Sequence, residues 1–347
     1  MIAFPSTAAE AASLLAARPD AVLRAGGTDI TDLRHRGLQR GPTVDLCDAT
    51  GLAAVSLTDT GGLRIGARVA LAALAADPLV RAGWPGLAQA AGGLATPQVR
   101  AVATVAGSLL QDVRCWYYRD PAAACLKKGG SRCLAREGDS LQHACYDLGA
   151  CIAPHPSTLA MALLALDATV EVEGGAPLTM AALLGDGSDP MRTHTLRPGT
   201  IVTAVVLPAA PTGVRAAYRR TIQRARAEWP LVEAYVHYEV EGGRIVRPRV
   251  AIGGVANRPL RLSEVEAALT GLAADADVEP ALQAVDARAQ TGIPANAWRA
   301  RLVVPTLLDT FADARASVPS AGPPRPPAPP VAAPVVAPTP VAPRGAR

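Results

Sequence analysis

Five of the six cysteines fall between Cys115 and Cys151, spaced C-x9-C-x7-C-x11-C-x5-C, and only Cys47 lies elsewhere. No other feature constrains the fold as much, because thiols at that density must pair, bind metal or be buried one by one. Burial is the ordinary fate of a free cysteine, but this clustering is far above chance. Disulfides need an oxidising compartment, and the N-terminus MIAFPSTAAEAASLLAARPD has no Lys or Arg before its apolar residues, so it lacks the signal-peptide pattern. Zinc sites usually show CxxC or CxxH pairs and ferredoxins CxxCxxC, none of which occurs here. Spacing alone favours a metal or cluster site without naming the metal.

The 347 residues are enough for two or three domains. Half are apolar, which allows a large core. The net charge of +4 is mild and scattered, so nucleic acid is not an expected partner. No apolar run reaches 18 residues without a charge or proline, so no membrane span is expected. The expected compartment is cytoplasmic, with co-export to the periplasm on a signal-bearing partner as the alternative.

Residues 6–18 read as a helix capped by Ser6 or Thr7, with Glu10 in its first turn. A short strand at Ala21–Leu23 leads into the glycine turn AGGTDI. TVDLCDA and GGLRIGARVALAALAAD continue as strand, strand and helix, and PGLAQAAGGLA reads as helix. ATVAGSLLQ reads as a strand-like run broken by a small-residue turn. HPSTLAMALLALDATVEVEG reads as helix then strand. The lack of strict βαβ alternation predicts α+β domains. A break falls at 208–214. Beyond it VEAYVHYEV and RPRVAIGGVA alternate like antiparallel strands, and a helical stretch starts at Ser263. The expected domains are 1–210, with an insert at 112–152, and 215–317. From Val318 proline and alanine dominate, so 318–347 reads as a disordered tail of polyproline II character.

The turns AGGTDI (Ala25, Gly26, Gly27, Thr28, Asp29, Ile30) and TVAGS (Thr104, Val105, Ala106, Gly107, Ser108) expose backbone N–H groups with no Cβ in the way of a phosphate. Either alone is more often a plain turn, and neither is GxGxxG or a Walker loop. Taken in order, AGGTDI, QVRAVATVAGSLLQ, HPSTLAMALLALDA, RPGTIVTAVVLP and RVAIGGVANRPLRLSEVEAALTG resemble the FAD-binding medium subunit of the molybdenum hydroxylases, the xanthine and carbon monoxide dehydrogenase family. The resemblance covers roughly residues 1–315. It implies a two-subdomain FAD-binding fold of the vanillyl-alcohol-oxidase type with a cysteine-rich insert, then an α+β C-terminal domain like that of the CO dehydrogenase flavoproteins. It places the FAD diphosphate on Ala25–Ile30, and the other side of the diphosphate and the ribityl chain on Thr104–Ser108. It sets Val202 against the flavin ring and Arg220 near it. The family's second turn reads TIGGN where this chain has TVAGS, and its Asp after HPS is Thr158 here, a ribityl-bonding group without charge.

CWYYR, CLKKGGSRC and CIAPHPS are similar to a subgroup of the family, 4-hydroxybenzoyl-CoA reductases and aldehyde oxidoreductases, whose insert binds a [4Fe–4S] cluster. The resemblance makes Cys115, Cys125, Cys133 and Cys151 the ligands and Cys145 the spare. Lys127, Lys128 and Arg132 would offset cluster charge or form a solvated face. The five histidines are scattered, no nucleophile arrangement is present, and His143 and His155 read as structural. The implied function is electron transfer through FAD and [4Fe–4S], beside a molybdenum large subunit and a [2Fe–2S] small subunit, to an external acceptor, in an aldehyde oxidoreductase. The alternatives are the β subunit of a 4-hydroxybenzoyl-CoA reductase, a stand-alone FAD oxidase with a structural metal loop, or a zinc scaffold.

Overall fold

A computed structural model of the chain describes residues 2–225, 227–285 and 292–322. Thr7 caps the first helix, Ala8–Ala17, by accepting from the Glu10 N–H, while the Glu10 carboxylate accepts from Ser6 N at 2.8 Å. The pair resembles a capping box, with Glu10 reaching back one residue beyond the cap, to Ser6. Strands β1 (Ile2–Ala3), β2 (Val22–Arg24) and β3 (Thr43–Asp45) form a small parallel sheet in the order β1-β3-β2. It rests on a core of Ala11, Leu15, Val44 and Ile201.

A second sheet joins β4 (Val55–Leu57), β5 (Leu63–Gly66), β6 (Thr169–Val172), β7 (Leu178–Thr179) and β8 (Val202–Leu207) in the antiparallel order β4-β5-β8-β6-β7. Helices Leu71–Ala76, Pro85–Gly93 and Thr158–Ala165 share its core. The last of these is apolar all round and almost wholly buried, as expected of a helix covered on every side.

The C-terminal sheet, β9 (Arg215–Thr221), β10 (Val232–Glu241), β11 (Arg244–Gly253) and β12 (Leu260–Arg261), is antiparallel in the order β12-β11-β10-β9. The expected pairing of VEAYVHYEV with RPRVAIGGVA is present, with a register shift between His237 and Glu239. Helices Ser263–Leu269 and Val303–Ala316 cover this sheet.

Two expectations need correction. ATVAGSLLQ is not strand-like: Thr104 accepts from the Gly107 N–H at 3.2 Å and caps a helix at Val105–Leu109. The tail is also anchored at its start, because Ser320 exchanges backbone hydrogen bonds with Gly213 and Val214 and is only 8% exposed. The remainder of the tail, 323–347, lies outside the described residues. No helix among the described residues is long and apolar enough to cross a membrane.

The insert carries little regular structure: one-turn helices at Trp116–Arg119 and Leu134–Glu137 and a 3₁₀ turn at Leu126–Lys128. Apart from Cys145 and Tyr146, which join the C-terminal core, its apolar contacts are two small clusters, one around Ala135 and Ile152 and one around Val113 and Ala153. A segment this short of core needs another source of order.

Candidate functional site

The first glycine turn follows β2 and backs onto helix Pro97–Val102. Gly26 must be glycine because a Cβ there would strike the Val102 carbonyl, and Gly27 takes a left-handed φ of 74°. The backbone N–H groups of Gly26, Gly27, Thr28 and Asp29 make no hydrogen bond within the described residues. They are four adjacent donors without acceptors.

The second turn differs from expectation. The N–H groups of Val105 and Ala106 donate to Val69 and Ala67 carbonyls at 3.0 Å, and those of Gly107 and Ser108 to the Thr104 hydroxyl and carbonyl. No N–H of Val105–Ser108 is left to expose. This turn offers close approach and the Ser108 hydroxyl instead.

Two clefts meet at these turns. One is lined by all of Ala25–Ile30, by Thr104, Ala106 and Gly107, and by Val202. The other shares Thr28, Asp29 and Gly107 with the first and adds Ser108, Thr158 and Arg220. Of the sequence-predicted positions only Val105 is absent from both; its side chain is fully buried in the core. Val202 and Arg220, both expected at one ring, open onto different clefts, because Val202 begins the central strand β8 and Arg220 ends β9 in the other sheet. Thr158 is also committed elsewhere: its hydroxyl donates to Glu233 at 2.7 Å, and Tyr218 donates to the same carboxyl oxygen at 3.0 Å. Burial pushes the Glu233 pKa up, and the two hydroxyls oppose that.

Asp29 ties the first turn to the insert. Its carboxylate accepts from the Asp112 N–H at 2.8 Å, Arg119 Nη2 at 2.7 Å and Arg114 Nη1 at 2.9 Å. Arg119 also donates to Val113 and Asp112 carbonyls and to Asp32. Neither arginine carries a recognisable sequence signal beyond lying beside the first cysteine.

Beyond this tie, Cys115, Cys125, Cys133 and Cys151 line one small cavity together with Tyr117 and Lys127. All six cysteines are free. Cys145 is elsewhere, fully buried in the C-terminal core, where burial pushes its thiol up to about 11. The Cys151 thiol hydrogen-bonds the Cys133 sulfur and draws its pKa down to about 5, while the same contact and burial push Cys151 up. Among the described residues no three His, Cys, Asp or Glu side chains converge closely enough for a single metal ion. His143, read from sequence as structural, places Nε2 3.1 Å from Cys115 Sγ and its ring edge-on to Trp116. Lys127 is half-buried near Cys151 and donates to the Arg192 carbonyl at 2.9 Å, whereas Lys128 bonds the Asp120 carbonyl and Arg132 pairs with Glu137 at the surface.

Residues 2–210 match the family described as the FAD binding domain in molybdopterin dehydrogenase, and residues 202–302 match the CO dehydrogenase flavoprotein C-terminal domain. The aldehyde oxidoreductase FAD-binding subunit PaoB of Escherichia coli K12 is 37% identical over 321 residues, 90% of this chain and 96% of that protein. A putative xanthine dehydrogenase FAD-binding subunit of the same organism is 38% identical over 105 residues, 30% of this chain and 36% of its own. Carbon monoxide dehydrogenase from Hydrogenophaga pseudoflava shares the fold at a TM-score of 0.68 and 20% identity, covering 90% of this chain and 96% of its own. Quinoline 2-oxidoreductase from Pseudomonas putida 86 does so at 0.67 and 21%, with the same coverage. The residues and both domains thus agree, and the chain belongs to the FAD-binding subunits of the molybdenum hydroxylase family.

Proposed function

We propose that this chain is the FAD- and [4Fe–4S]-carrying electron-transfer subunit of a molybdenum hydroxylase that oxidises aldehydes. In this reading it assembles with a molybdenum large subunit and a [2Fe–2S] small subunit. The observation that carries it is the arrangement of the four cysteines, which surround one cavity without converging on a point. A zinc ion needs four sulfurs within about 2.3 Å of one centre, whereas an iron–sulfur cluster keeps its thiolates apart on separate irons. The aldehyde assignment follows the likeness to the aldehyde oxidoreductase subunit over nearly the whole chain.

The residues divide the work. Gly26–Asp29 present their free N–H groups to the diphosphate, since an unpaired row of donors is an anion site. Ala106 and Gly107 let the cofactor lie against the second turn, and Ser108 supplies a hydroxyl. Arg220 brings positive charge to the second cleft. Cys115, Cys125, Cys133 and Cys151 hold the cluster, and the depressed pKa of Cys133 suits a thiolate ligand. Lys127 offsets negative charge beside Cys151. When bound, FAD and the cluster supply the one- and two-electron chemistry that the side chains lack. Asp29, Arg114 and Arg119 hold the two sites in fixed relation. Iron, acid-labile sulfide and flavin analysis of the anaerobically purified chain, with EPR after reduction, tests the reading. Four iron and one FAD per chain are expected; flavin without iron would remove the cluster and leave the family.

A further inference from the structure

A third cavity lies between the cleft of Arg220 and the cysteine pocket. It shares Arg114, Pro156, Trp229 and Pro230 with the former and Cys115 with the latter. Its walls are flat: Trp116 and Trp229 remain 37% and 50% exposed, and Pro154, Pro156 and Pro230 complete them.

Its charge is unbalanced. Arg299 is 1% exposed and lines the cavity. Its Nη atoms donate to the carbonyls of His143, Leu231 and Gly254. It forms no ion pair among the described residues, and its Nε has no hydrogen-bond partner. Arg114 lies with its guanidinium 4.9 Å over the Trp229 ring, but its Nη atoms are already engaged by Asp29 and Gln111. The one carboxyl on the wall, Glu233, already receives two hydroxyl donors. A buried guanidinium held only by carbonyls keeps its full charge without a counter-ion, which is costly.

We propose that this cavity binds a planar aromatic anion, stacked between Trp116 and Trp229, with its charged oxygens toward Arg299. Aromatic walls favour a flat ligand over a saturated one of equal size. A buried guanidinium without a carboxylate partner favours carboxylate or sulfonate oxygens over neutral groups. Two sources share this chemistry: an anionic quinone that takes up electrons, or an aromatic carboxylate of the kind aldehyde oxidation yields. The inference rests on the flavoprotein reading only for the cavity's place between two redox sites.

The test is calorimetric titration of the purified FAD-loaded chain with naphthalene-2-sulfonate, a planar anion that accepts no electrons. One saturable site per chain is expected, with cyclohexanesulfonate and neutral 2-naphthamide at least tenfold weaker. Arg299→Met and Trp116→Ala should each weaken binding at least tenfold. Trp116 is partly exposed, so its variant remains informative if removing Arg299, which spans three carbonyls, prevents folding. No saturable binding, equal binding of all three compounds, or unchanged affinity in Trp116→Ala would overturn the proposal. Competition with anthraquinone-2-sulfonate and with 2-naphthoate then assigns the source, since the physiological class displaces the probe more strongly. Because the probe is redox-inert, a chain without iron that still binds it would sink the cluster and leave this site standing.

Discussion

Arg119 is the residue on which the joint between the glycine turn and the cysteine insert depends. Its side chain is 5% exposed and reaches two carboxylates and two carbonyls. Arg119→Met would leave Asp29 with Arg114 and the Asp112 N–H and free two insert carbonyls. A loss of about 3 kcal/mol is expected, the scale of breaking a buried charged network, together with weaker FAD retention. Arg119→Lys should recover only part of it, because an ammonium cannot fork to four acceptors. Urea denaturation and FAD titration of the two variants check this; equal behaviour of Met and wild type would rule out the joint. His237 offers a pH test. It is 7% exposed in β10, and burial lowers its pKa to about 4, against about 6.5 in the unfolded chain. Below pH 6.5 the unfolded state takes the proton and the native state does not, so stability is full above that pH and is lost as pH falls toward 4. The slope is about 1.4 kcal/mol per pH unit for one such group. Between pH 6.5 and 5 the chain should therefore lose about 2 kcal/mol more than His237→Gln does, measured by denaturant midpoint.

At the scale of elements, the cysteine loop separates ligands from packing. Cys125→Ser and Cys133→Ser should each lower iron per chain, because both sulfurs line the shared cavity. Cys145→Ser should leave iron unchanged and cost about 1–3 kcal/mol, since it buries a hydroxyl in the C-terminal core. Iron loss in Cys145→Ser with retention in Cys125→Ser would reverse the assignment. The sequence exposed this loop through spacing, and it exposed the long strands β10 and β11 through alternation. It misled at ATVAGSLLQ, where β-branched and small residues resemble a strand. The Thr104 cap, worth about 1 kcal/mol, and the contacts of Val105 in the core decide for helix. It was silent on Glu233, Arg119 and Arg299 because each acts on partners about seventy or more positions away. No local pattern encodes such pairings, and a buried charge reads from sequence like any surface one.

At the scale of the whole molecule, the cleft lined by Thr158 and Arg220 depends on the two halves of the chain being packed together. Helix Pro85–Gly93 of the first half lies against β9 and β10 of the second, and Gln89 accepts from the Tyr218 N–H at 2.9 Å. Two glycines allow the approach. A Cβ on Gly86 would sit 2.8 Å from the buried Tyr235 ring, and one on Gly93 would sit 3.0 Å from Tyr218. Helix propensity alone favours alanine over glycine by about 1 kcal/mol, so propensity and packing predict opposite signs for Gly86→Ala. Tyr235 is fully buried and cannot swing outward, and overpacking of that kind costs about 1–3 kcal/mol. Packing should win, with a net loss in stability. The C-terminal sheet carries Arg220 to the cleft, so displacing it should also weaken FAD binding. Tyr235→Leu alone is destabilising because it leaves a cavity. Combined with Gly86→Ala, the added methyl and the removed ring compensate, and the double variant should be more stable than the sum of the singles requires. Strict additivity in a double-mutant cycle would mean that the halves are held apart by something other than this contact, and would leave the two glycines unexplained.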